Sequence, residues 1–116
     1  NAKEFSDLLS SKQVYLVTAN QGFALGRIAG PEVELLAIAV HPDARRQGTG
    51  QQLLEEFEIR AKLDNANEVI LEVGENNSAA IKLYRKNGYE TAGFRKDYYA
   101  KPTGEKSSAI VMRRFL

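Results

Sequence analysis

The chain predicts an α/β (α+β) fold: a single domain over residues 1–116, built on a mixed central β-sheet of about six strands flanked by at least three helices. Three observations carry this reading. β-Branched and aromatic runs alternate along the chain with segments whose apolar residues recur at helical spacing. One run, Leu35 to Val40, is continuously apolar, the pattern of a strand buried on both faces and therefore central. A chain of 116 residues that is 43% hydrophobic buries one modest core and leaves no material for a second domain.

The elements follow in order. Ala2, Phe5, Leu8 and Leu9 are helically spaced behind Asn1, a good cap, and predict a short amphipathic helix. Val14 to Ala19 and Phe23 to Ala29 read as strands, with Asn20-Gln21-Gly22 as the turn of an antiparallel hairpin. Gly30-Pro31 then leads into the strand Val33 to Val40. Pro42 has no N–H to give a sheet, so His41 to Gln47 is a loop. From Thr49, Leu53, Leu54, Phe57 and Ala61 mark one face of a helix ending near Asp64-Asn65, with Glu55, Glu56, Glu58, Arg60 and Lys62 elsewhere. Val69 to Val73 is the next strand, and a crossover helix before it makes it a parallel partner of the central one. Asn77 or Ser78 caps a helix with Ala80, Ile81, Leu83 and Tyr84 on its apolar side, which Asn87-Gly88 terminates. Tyr89 to Tyr99, interrupted by Gly93, and Ser107 to Phe115 complete the sheet.

Composition narrows the chemistry. Sixteen Lys and Arg stand against fifteen Asp and Glu, a formal charge of +1, which gives no basic surplus for wrapping nucleic acid. With no Cys and a single His, thiolate zinc sites, Cys nucleophiles and His-based triads are absent. No apolar run approaches the ~20 residues of a membrane helix, and the first residues do not form a signal peptide. A soluble, cytoplasmic protein is expected. Its chemistry falls to carboxylates, hydroxyls, phenols, amines and backbone groups.

Arg45-Arg46-Gln47-Gly48-Thr49-Gly50 lies between a strand and a helix N-terminus, where unpaired N–H groups and the positive end of the helix dipole favour an anion. The glycines permit close backbone approach and the arginines add charge. By itself the pattern fits a phosphate loop and a solvated helix entry equally. The Walker pattern fails because Gln51-Gln52 follows Gly50, and the dinucleotide fingerprint fails because Leu53 occupies the place of a small residue.

Taken together in order, these segments resemble the GNAT family of N-acetyltransferases, and within it the bacterial RimI-type ribosomal-protein-alanine N-acetyltransferases. Arg45-x-x-Gly48-x-Gly50 matches the family's pyrophosphate loop, Leu36 to Pro42 the strand before it, and Leu71-Glu72-Val73 the next strand. Asn77 to Tyr84 looks like the following helix, and Arg95-Lys96-Asp97-Tyr98-Tyr99 like the family's Arg-x-x-Tyr-Tyr stretch. The resemblance implies acetyl-CoA as co-substrate and no metal. Arg45, Arg46, Gln47, Gly48, Thr49, Gly50 and Gln51 would surround the pyrophosphate, the backbone of Ile38, Ala39 and Val40 would pair with the pantetheine arm, and Asn77 would contact the cofactor. The family opens with a further strand and helical segment, so an N-terminally incomplete domain is expected; the first residue, Asn rather than Met, fits this.

Amine acetylation needs a neutral amine, stabilisation of a developing oxyanion, and a proton for the departing thiolate. Glu72 interrupts an apolar strand, and the residues alone leave two readings: an outward-facing glutamate, or a carboxylate in a polar cleft whose burial makes it a useful base. Tyr84 reads either as a core aromatic or as an acid. The resemblance implies that Glu72 is the proton acceptor and Tyr84 the acid. The Val40 N–H is the expected oxyanion donor, whereas His41 is expected to cap the loop. Tyr98 and Tyr99 are expected to line the acceptor groove or to pack beneath it. The expected reaction is acetylation of a protein N-terminus, the N-terminal alanine of a small-subunit ribosomal protein, without direct contact to nucleic acid or membrane. The alternatives are a GNAT enzyme for free amines or lysine side chains, and a non-catalytic acetyl-CoA-binding module.

Overall fold

The computed structural model describes residues 13–100 and 102–116. The helix expected over Ala2 to Leu9 lies outside them. The described chain forms two compact units, one ending at Val69 and including Leu116, the other Ile70–Phe115.

In the first unit, β1 (Val14–Ala19), β2 (Gly22–Ala29) and β3 (Glu32–Val40) form an antiparallel meander. Both connections are two residues long, Asn20-Gln21 and Gly30-Pro31, with Gln21 and Gly30 at positive φ. Helix α1 (Thr49–Leu63) packs on all three strands. Its fully buried Leu53, Leu54, Phe57 and Ala61 are the face that the spacing predicts, joined by Ala24, Leu25, Val33 and Leu35 from the strands. Phe57 stacks on Tyr15 at 5.3 Å between centroids. This stack needs the bare backbone of Gly26, because a Cβ there would stand 2.8 Å from Phe57 Cζ and 3.0 Å from Tyr15 Cζ. Arg60 lies 4.8 Å over the Tyr15 ring and pairs with Asp64 at 3.3 Å. Glu58, expected on the polar side of the helix, is instead buried at 7% exposure.

The expectation that β3 is buried on both faces is corrected. Val33 and Leu35 are buried, but Ala37 and Ala39 are exposed and Ile38 and Val40 are intermediate. The cause is a bulge. Leu25 pairs with Ala37 and Gly26 with Leu35, so Leu36 is an extra residue and the inward set changes parity beyond it.

The second unit takes strand β4 (Glu68–Gly74) from Ile70 onward, and its strands run in the order β4, β6, β5, where β5 is Glu90–Ala100 and β6 Lys106–Phe115. β5 and β6 are antiparallel. Helix α2 (Ser78–Lys86) starts at Asn77, whose Oδ1 accepts from the Ala80 N–H at 3.2 Å, and ends before Gly88 at φ +89°. Leu71, Val73, Ala109 and Met112 form the core with Tyr84 and Tyr89, whose rings meet at 5.7 Å. The described residues thus comprise six strands and two α-helices. None of the described helices is long and apolar enough to cross a membrane.

Candidate active site

The anion loop is built by the end of β3 and the start of α1. Pro42–Ala44 form a single 3-10 turn, capped by His41, whose Nδ1 accepts from the Asp43 N–H at 3.2 Å. His41 therefore has the loop-capping role expected for it. Arg45 leaves the turn with extended backbone, its Nε donating to the Val40 carbonyl at 3.3 Å, and Gln47 donates to the Asp43 carbonyl at 3.1 Å. Arg46 and Gly48 both adopt left-handed backbone, at φ +64° and +81°. Two such residues in close succession reverse the chain tightly and carry it into the helix with its N–H groups facing outward. A Cβ at Gly48 would meet nothing within 4 Å, so the space over the loop is open. No side chain caps α1, and no acidic residue stands in its first turn. Thr49 is held by a hydroxyl bond to the Ala44 carbonyl at 3.4 Å, Gly50 is the second helical residue, and Gln51 bonds Glu55 at 2.9 Å. Arg45, Arg46 and Gln47 are exposed.

The register of β2 on β3 assigns the backbone groups of the strand before this loop. The His41 N–H donates to the Gln21 carbonyl at 2.7 Å, one residue beyond the Gly22–Val40 pair, so that pair is a non-hydrogen-bonded one. The N–H and C=O of Val40, and by alternation those of Ile38, point away from β2. The Ala39 groups point toward it. Of the three residues expected to offer their backbone, Ile38 and Val40 have that geometry; Ala39 offers an exposed methyl instead.

In the second unit, Glu72 sits mid-way along β4 between the buried Leu71 and Val73. Its side chain is 24% exposed, and its Oε1 lies 3.1 Å from Arg95 Nε on β5. It is thus partly buried and paired with an arginine, a partner that neither reading of the strand included. Arg95 is the partner that sequence reasoning missed, since nothing local in the chain links the two positions. Arg95 also stacks over the Tyr98 ring at 5.0 Å.

Tyr84 is 5% exposed, and burial pushes its phenol up to about 12. The hydroxyl is therefore a proton donor throughout the neutral range. Burial also pushes Tyr15 up, reinforced by Asp64 and opposed by Arg60, but Tyr15 belongs to the core under α1. Asn77 is exposed, and while its Oδ1 caps α2 its amide nitrogen remains a donor. Among the described residues no group of three or more His, Asp and Glu stands together to hold a metal ion.

The chain is similar in sequence and fold to known proteins. Residues 10–91 match the acetyltransferase (GNAT) domain family. A [ribosomal protein bS18]-alanine N-acetyltransferase from Haemophilus influenzae is 37% identical over 103 residues, covering 87% of this chain and 70% of that protein. The protein of the same name from Escherichia coli K12 is 38% identical over 90 residues, covering 78% of this chain and 60% of its own length. The crystal structure of the ribosomal-protein-S18-alanine N-acetyltransferase from Escherichia coli superimposes with a TM-score of 0.88 at 32% identity, over 99% of this chain and 76% of that one. The mixed α/β fold, the glycine loop opening an uncapped helix and the family match lead to one conclusion: this chain belongs to the GNAT family of acetyltransferases.

Proposed function

We propose that residues 1–116 act as one catalytic domain that transfers an acetyl group from acetyl-CoA to the N-terminal α-amino group of a protein, the N-terminal alanine of a small-subunit ribosomal protein, in the cytoplasm. The observation that carries this reading is the 37% identity to a bS18-alanine N-acetyltransferase over 87% of the chain.

The loop suits a diphosphate: left-handed Gly48 with open space above it, an uncapped helix start, and no carboxylate in the first turn. Gly48, Thr49 and Gly50 donate backbone N–H groups there, Arg45 and Arg46 supply charge, and Gln47 and Gln51 flank the loop. Ile38 through its outward N–H and C=O, and Val40 through the carbonyl lone pair that Arg45 leaves open, pair with the pantetheine amides as an added strand would, and the small Ala39 lets the arm lie close. The Asn77 amide supplies a further donor. Acetyl-CoA brings the thioester whose carbonyl is attacked.

Glu72 accepts the proton of the acceptor ammonium, directly or through a water, and leaves the amine nucleophilic. The Val40 N–H donates to the carbonyl oxygen as negative charge develops on it. The Tyr84 phenol, still protonated at neutral pH, gives its proton to the departing sulfur. Since Glu72 is already countered by Arg95, the site does not favour the polycationic small amines that an open acidic groove would attract.

The test is release of free thiol from acetyl-CoA in the presence of peptides beginning with Ala, peptides with a blocked N-terminus and an internal lysine, and small polyamines. Turnover with the alanyl peptides above the other two classes is expected. Faster turnover of the polyamines or of the blocked lysine peptides overturns the acceptor assignment, and thiol release with none of them overturns the enzymatic reading.

A further inference from the structure

Strand β5 departs from regularity opposite Ser108. Arg95 pairs with Ala109 and Tyr99 with Ser107, so Lys96, Asp97 and Tyr98 together face a single residue. Asp97 takes the left-handed backbone, φ +55°, which Asp tolerates better than most residues. Its N–H donates to the Ser108 hydroxyl at 3.0 Å. Ser108 is itself 6% exposed and fixed from the other side: its N–H donates to Glu75 Oε1 at 3.2 Å, and the Glu75 N–H donates to its carbonyl at 2.9 Å. A buried serine thus pins a bulge of two extra residues.

The bulge has a geometric effect on side chains. In a regular strand Arg95 and Tyr98, three apart, point to opposite faces. Here the guanidinium lies 5.0 Å over the Tyr98 ring while its Nε remains 3.1 Å from Glu72 Oε1. Tyr98 is nearly half exposed. An arginine held both by a carboxylate and by an aromatic face has few ways to rotate, because the planar fork suits both contacts at once.

We propose that Arg95 is a positioning residue of the transfer reaction: the Ser108-pinned bulge stacks it on Tyr98, so that it fixes Oε1 of Glu72 and leaves Oε2 to the acceptor amine. This rests on the reading of Glu72 as the proton acceptor. Arg95 acts through Glu72: it sets the angle at which the carboxylate meets the amine, and proton transfer is steep in that geometry.

Two readouts test it, one independent of turnover. In the free protein, the Arg95 Nε–H resonance, assigned by its loss in Arg95→Lys, should shift in Glu72→Gln and also in Ser108→Ala, which removes the hydroxyl that bonds Asp97. Asp97→Val, an exposed change that disfavours the left-handed backbone without touching the core, should shift it in the same way. With an alanyl peptide, Arg95→Ala should lower kcat about 10-fold or more at unchanged KM for acetyl-CoA, with partial rescue by Arg95→Lys. Arg95→Ala combined with Ser108→Ala should be no slower than Arg95→Ala alone, because both act through one contact. An unmoved resonance in both Ser108→Ala and Asp97→Val, a parental kcat in Arg95→Ala, or additive losses in the double variant overturns this proposal alone. A parent protein that acetylates no amine overturns the reading of Glu72, and this proposal with it.

Discussion

Replacing Tyr84 by Phe separates a catalytic phenol from a packed one, and the structure sets the size of each effect. The ring is 5% exposed and lies against Tyr89, so removing one oxygen leaves the packing intact, and stability at pH 7 should stay within about 1 kcal/mol of the parent. The alkaline behaviour is more telling. Burial raises the folded-state phenol to about 12, whereas in the unfolded chain it ionises near its ordinary value of about 10. A raised value means that the folded state holds the proton more tightly, so this contribution is complete below pH 10 and is lost as pH rises toward 12. The loss is a fraction of a kilocalorie per mole at pH 10, about 1 kcal/mol at pH 11, and approaches about 3 kcal/mol above the folded value. Urea unfolding of parent and Tyr84→Phe between pH 7 and 11 should therefore show the variant gaining on the parent by these amounts, since every other titrating group is common to both. In the same proteins, turnover at pH 7 should fall about 10²-fold in the variant while acetyl-CoA affinity by calorimetry is unchanged. Parallel stability curves would mean that the phenol is solvated rather than buried. Undiminished turnover would return Tyr84 to the core as a packing residue.

Other perturbations give similarly sharp outcomes. Glu72→Gln keeps the shape and removes the basicity, so kcat should drop about 10²-fold with partial recovery as pH rises and more acceptor is already neutral; steady-state kinetics from pH 7 to 9.5 check this, and full activity at pH 7 would refute it. Gly48→Glu should abolish acetyl-CoA binding in calorimetry because a carboxylate enters the open space over the loop, and the left-handed backbone at φ +81° should add about 1 kcal/mol of destabilisation visible in urea unfolding. Gly26→Ala should cost about 1–3 kcal/mol in the same unfolding assay, since the new methyl meets the Phe57 and Tyr15 rings.

Where local chemistry decides an element, the sequence is a good guide. The turns at Asn20-Gln21 and Gly30-Pro31, the Asn77 cap, Gly88 at the end of α2 and the buried face of α1 are each dictated by residues within a few positions of one another. The glycine loop is legible for the same reason. What the sequence conceals is set by distant partners. The bulge at Leu36 has no local mark of its own; it occurs opposite Gly26, which is bare to admit rings from β1 and α1. The burial of Glu58, the pairing of Glu72 with Arg95 and the grip of Ser108 on Asp97 likewise join residues whose proximity exists only in the folded chain. The apolar run of β3 misleads because a continuous run of apolar letters reads the same whether or not a bulge changes which residues face inward.

The alternation of backbone groups along the end of β3 bears on how such a protein tolerates change. Ile38 and Val40 present only main-chain atoms on the side away from β2, and those atoms are the same in every residue but proline. Valine, isoleucine or leucine can replace one another there during divergence without altering the donor and acceptor pattern that the strand displays. The grip of such a strand is inherited through its register, so distant relatives can preserve it while sharing few letters along the segment.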